Sequence, residues 1–108
     1  MRIFSWIIQT PATGGIPGPR MKQAVTCTRL DAFVTAATSA TFNIEERTAI
    51  GSAGTNILAS DMVADVTGET MTDFSNAGIA ADNWLWVDIA SAVGTPGYLE
   101  ITLSCTVD

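Results

Sequence analysis

Apolar and polar residues alternate most regularly near the end of the chain, where YLEITLSCTV places Leu99, Ile101, Leu103, Cys105 and Val107 on one parity and mostly polar side chains on the other. That period of two predicts a half-buried β-strand over 98–107. The same reading predicts strands over 23–29, with Val25 and Cys27 facing inward, and over 40–48, with Ala40, Phe42 and Ile44 inward. WLWVDIA, residues 84–90, is apolar on both parities up to Asp88, as expected of a central strand with Leu85, Val87 and Ile89 toward the core. Trp84 and Trp86 then face outward or toward a partner. Shorter strands are predicted near 30–35, 57–58 and 70–74, and 59–65 reads as a turn or strand too short for a stable helix. Turn residues at Gly51 to Gly54, Thr67-Gly68, Asn76 to Gly78 and Gly94 to Gly97 separate these runs. The pattern predicts an all-β fold: an antiparallel β-sandwich or jelly-roll-like domain over 23–108.

The first 22 residues read differently. Ile3, Phe4, Trp6, Ile7 and Ile8 form a short apolar run, followed by a string holding Pro11, Gly14, Gly15, Pro17, Gly18 and Pro19. Proline and glycine at that density disfavour helix and regular sheet, so residues 1–22 are expected to be an extended N-terminal arm on a polyproline-like tether. Fourteen extended residues reach roughly 45 Å, far enough to cross onto a neighbouring subunit. Arg2 and the five large apolar residues are the expected assembly contacts. The apolar run is shorter than a signal-peptide core, and no segment approaches the ~20 apolar residues of a membrane span.

Charge sharpens the division. Arg2, Arg20, Lys22 and Arg29 precede Leu30, whereas all eleven acidic residues follow it with Arg47 as their one basic companion. An acidic body repels phosphate backbones, so no nucleic-acid role is expected for it. At 108 residues the chain fits one domain, and only 15% of it is charged, so much of the surface is small and neutral.

The chain has no histidine, which removes the commonest general base and metal ligand. Its one lysine, Lys22, is not part of a phosphate-binding glycine loop. Carboxylates could still form a glycosidase pair or gather calcium, with Glu45, Glu46, Asp61, Asp65, Asp82 and Asp88 as candidates. Neighbouring strand positions point to opposite faces, which separates Glu45 from Glu46. The expectation is solvated surface carboxylates, no catalytic residues, no metal site and no cofactor. Cys27 and Cys105 lie on core parities and are expected as reduced core thiols, although one bridge between them is conceivable. Trp84 and Trp86 could pack, meet a partner, or stack on a glycan.

ATFNIE (40–45), GTNIL (54–58), IAADNWLWVDI (79–89) and GTPGYLEITL (94–103) together resemble a family of small β-sandwich virion proteins of tailed bacteriophages. In that family an A-D-D-x-L-x-V-D-I strand precedes a Gly-Thr turn and a final alternating strand. Asn83 replaces the second acid here, and Trp84 and Trp86 are bulkier than the usual occupants. The resemblance implies a non-enzymatic virion protein. The form expected is a capsid decoration, or cement, protein that assembles as a homo-oligomer, a trimer, and binds the major capsid protein through its arm. A tail-fibre or baseplate module that binds a receptor glycan is the alternative. Either role places it in the virion, assembled in the host cytoplasm.

Overall fold

The computed structural model describes residues 1–36 and 38–108. Ten strands follow one another: β1 (Arg2–Gln9), β2 (Gly14–Arg20), β3 (Val25–Val34), β4 (Ser39–Arg47), β5 (Thr55–Asn56), β6 (Met62–Ala64), β7 (Glu69–Met71), β8 (Gly78–Ile79), β9 (Trp84–Val93) and β10 (Tyr98–Val107). They form two five-stranded antiparallel sheets. The first runs β1-β10-β3-β7 with β8 also on β3, and the second runs β2-β9-β4-β5 with β6 also on β4. Strands β1 to β4 alternate between the sheets, and β9 and β10 lie one in each, so β1 faces β2, β10 faces β9 and β3 faces β4. This is the strand order of a jelly roll, a ribbon of paired strands wrapped around one core.

The core forms where the alternation predicts it. Phe42, Ile44, Leu85, Val87, Ile89, Leu99, Ile101 and Leu103 are all buried between the sheets. Two expected strands, 23–29 and 30–35, are one: β3 runs through both, and its register against β10 shifts between Ser104 and Cys105 to absorb the break in alternation. The stretch 59–65 contributes β6, paired with the start of β4.

The expected N-terminal arm is not seen. Residues 2–9 pair along their whole length with β10, and residues 14–17 with β9. The radius of gyration, 13.0 Å, is the value of about 13 Å that a compact chain of this length should have. Two physical facts explain the difference. The alternating strand β10 needs a hydrogen-bond partner on each side, and β3 supplies only one. Proline is also tolerated in an edge strand, where its missing N–H can face away from the ladder, so Pro17 and Pro19 do not forbid β2. The link out of β2 is pinned as well: the Met21 N–H donates to the Asn83 carbonyl (2.8 Å), and the Asp82 N–H donates back to Met21 (2.7 Å).

Candidate functional site

The six residues expected to serve as an assembly arm are divided by the parity of β1. Phe4, Trp6 and Ile8 turn inward; Trp6 is buried, while Phe4 and Ile8 pack against the core. Trp6 reaches across to the facing sheet, where Gly18 of β2 makes room: a Cβ at Gly18 would lie 2.9 Å from both the Trp6 ring and the Leu85 carbonyl oxygen. Ile3 and Ile7 turn outward and are 58% and 69% exposed. Arg2 is exposed at the strand's start, 5.8 Å from the Phe4 ring centre.

The open side of the sandwich is thus walled by β1 in one sheet and β2 in the other, each at the end of its sheet. The two edges differ. Strand β2 carries two prolines and three glycines and loses regular register between Pro17 and Arg20, features that blunt an edge. Strand β1 is eight residues long, unbroken in register and free of proline.

Trp84 and Trp86 do lie side by side on the outer face of the second sheet, both half-buried, and they are already occupied. Arg47 lies 4.0 Å from the Trp86 ring centre and Arg20 lies 5.6 Å from that of Trp84. Arg47 is held in place by Glu45 (3.1 Å) and by the Ile50 carbonyl (2.8 Å). The Nε1 edge of Trp86 abuts Gly15 so closely that no side chain fits there without moving the ring. The two tryptophans therefore act within the sheet face, each under an arginine.

Sequence reasoning missed two polar anchors because both sit on parities that read as ordinary strand positions. Asn43 is buried on β4: its carbonyl oxygen accepts from the Ile44 N–H (2.8 Å) and the Leu58 N–H (3.2 Å), and its amide donates to Asp61 (3.0 Å). Glu46 accepts three hydrogen bonds, from the Asn76 amide (2.8 Å), the Ala80 N–H (2.9 Å) and the Asn83 amide (2.8 Å). Partial burial pushes the Glu46 carboxyl up, but the bonds from Ala80, Asn83 and Asn76 outweigh it and hold the group below its ordinary value. Glu46 thereby ties the segment 76–83, which carries β8, to the end of β4.

The remaining carboxylates are dispersed. Glu45 turns to Arg47 and Glu46 to the opposite face, as their adjacency in a strand requires. Asp31 bonds Arg29 (2.9 Å) and Thr70 (2.6 Å), and those bonds hold its carboxyl below the usual range. Asp65 is held low by Thr67, while the neighbouring Asp65 pushes the Glu69 carboxyl up. A shallow groove of about 320 Å³ on the outer face of the first sheet is bordered by Asp31, Phe33, Glu69 and Glu100. Among the described residues no three His, Cys, Asp or Glu side chains come together as a metal site. Cys27 and Cys105 are free, buried and paired across β3 and β10, with sulfurs 3.7 Å apart. Comparison of the chain with protein-family models, with curated proteins and with solved structures finds no match.

Proposed function

We propose that this protein is a non-enzymatic structural protein of a tailed-bacteriophage virion, acting as a capsid decoration protein that associates with copies of itself and with the major capsid protein. The observation that carries this reading is the pairing of a small jelly-roll-like body with an open, apolar edge strand, β1, built from the chain's first residues. An edge of that kind favours assembly over solution of small-molecule chemistry, since backbone groups and aliphatic side chains offer extended contact and no reactive group. The chain's lack of histidine supports the same reading, as does the use of Glu46, Asn43 and the Glu45–Arg47–Trp86 stack to hold strands and turns together. The phage assignment rests on the resemblance in the four stretches 40–45, 54–58, 79–89 and 94–103, which fall on β4, β5, β8, β9 and β10.

The glycan-binding alternative has less support, because the tryptophan rings it needs already carry Arg20 and Arg47. The two readings separate by location. Cryo-electron microscopy of particles from the genome that encodes this chain should show the sandwich on the head shell. Density at the tail tip or fibre would favour the alternative, and a particle without the protein would overturn both.

A further inference from the structure

We infer that β1 is a self-pairing edge: two copies join antiparallel through β1 about a two-fold axis at Ser5, making one ten-stranded sheet from two five-stranded ones. The side of β10 that faces β1 decides which backbone groups of β1 are left free. Beyond the end of β1 the Thr10 N–H donates to the Gly97 carbonyl (2.8 Å), and the Tyr98 carbonyl accepts from Thr35 on the far side. Gly97 and residues 99, 101, 103 and 105 of β10 therefore turn their backbone groups toward the N-terminal strand. The register partners in β1 are its even-numbered residues, from Ile8 opposite Leu99 to Arg2 opposite Cys105. In an antiparallel ladder alternate residues bond to alternate sides, so Ile3, Ser5, Ile7 and Gln9 present their N–H and C=O groups to the open edge.

Only registers that place odd residues opposite odd residues can use those groups. A two-fold axis at Ser5 does so, and it sets Ile3 opposite Ile7 of the second copy, Ser5 opposite Ser5, and, on the inner face, Phe4 opposite Trp6. The run Ile-Phe-Ser-Trp-Ile thus has the same residue classes read in either direction. Moving the axis by one residue either way puts Ser5 against an isoleucine and leaves an isoleucine against Met1 or Gln9. The chosen register covers the two most exposed isoleucines of the strand, Ile3 and Ile7. It brings no like charges together, since Arg2 is the one charged side chain of β1 and falls opposite Ile8.

The competing edges do not offer this. The edge of β2 is blunted by Pro17 and Pro19, and the far edges of both sheets are strands of two or three residues. A second copy is also the one occupant whose sequence is known to match. The inference specifies a dimer, where the family resemblance implies a trimer, and it stands apart from the virion assignment.

The test is the mass of the full chain by sedimentation equilibrium, run over concentrations up to the order of 100 µM, within the usual range of modest protein contacts. A dimer is expected, with Ile7→Lys shifting it to monomer at every concentration while circular dichroism stays that of the folded chain. Residues opposite each other in a bonded antiparallel pair lie about 5.5 Å apart, within disulfide reach. Ser5→Cys should therefore crosslink to a dimer under copper-phenanthroline, and Gln9→Cys, whose two copies would lie more than about 20 Å apart, should not. A monomer, a trimer, a dimer indifferent to Ile7→Lys, or crosslinking at Gln9→Cys in place of Ser5→Cys would each overturn it.

Discussion

Glu46 gathers three points of the fold onto one side chain. Its two oxygens serve donors from three separate positions of the segment before β9. Replacing the carboxylate by an amide leaves one N–H facing another, so Glu46→Gln should cost about 1–3 kcal/mol of stability at neutral pH, read by urea denaturation. The pH dependence has a defined sign. The folded state holds the Glu46 proton less tightly than the ordinary value of 4.5. Its contribution is therefore complete above that value and is lost as pH falls through the lower folded one. The wild type should lose stability on acidification below about pH 4.5 more steeply than Glu46→Gln does; equal slopes would remove Glu46 from the account. Trp6 is the apolar counterpart. It is the one buried large residue of β1, and Trp6→Ala should cost about 3–5 kcal/mol, measured the same way. Neither residue's role is legible locally: Glu46 reads as a strand carboxylate beside Glu45, and Trp6 as one more member of an apolar run.

At the scale of elements, legibility follows the burial of the two faces. Strand β10 has one face in the core and one in solvent, so its period of two is plain, and β9 announces its core parity through Leu85, Val87 and Ile89. Strand β1 hides its parity because its outward side chains, Ile3 and Ile7, are as apolar as its inward ones. Strand β2 hides behind proline and glycine, which an edge position permits. The consequence is sharp for truncation. Removing residues 1–20 deletes β1 and β2 together, strips one neighbour each from β10 and β9, and uncovers the core beneath Trp6. The shortened chain should aggregate or remain unfolded by circular dichroism and tryptophan emission, whereas a detachable arm would leave a folded body. The glycines of β2 divide in the same way. At Gly18 a methyl group meets the Leu85 backbone as well as Trp6, and Gly18→Ala should destabilise by about 1–3 kcal/mol. At Gly15 the nearest atoms are those of the Trp86 indole, so Gly15→Ala should displace that ring from under Arg47 and alter near-ultraviolet circular dichroism.

Over the whole molecule, the question is whether the N-terminal strands open separately from the rest, and the two thiols are placed to report it. Cys27 and Cys105 share one rung between β3 and β10, and Arg2 at the start of β1 lies beside Cys105 in register. Both are buried, and both sit at the end of the sandwich where β1 begins and β10 finishes. A jelly roll distributes consecutive strands between its sheets, so β1 and β2 cannot both leave without breaking contacts in both sheets. Local opening should then be rare, and reagent should reach the thiols only through global unfolding. Native protein is expected to react with an aromatic disulfide reagent at both cysteines at a single rate that rises with urea along the global unfolding curve. The contact with Cys105 and burial push the Cys27 thiol up, and both sulfurs are closed off from solvent, so raising the pH should accelerate labelling only by way of the unfolded state. Cys105 labelling ahead of Cys27, at a rate insensitive to urea, would mean that the first strands detach on their own. The N-terminal segment would then behave as an arm after all, docked in the isolated chain and released before the body unfolds.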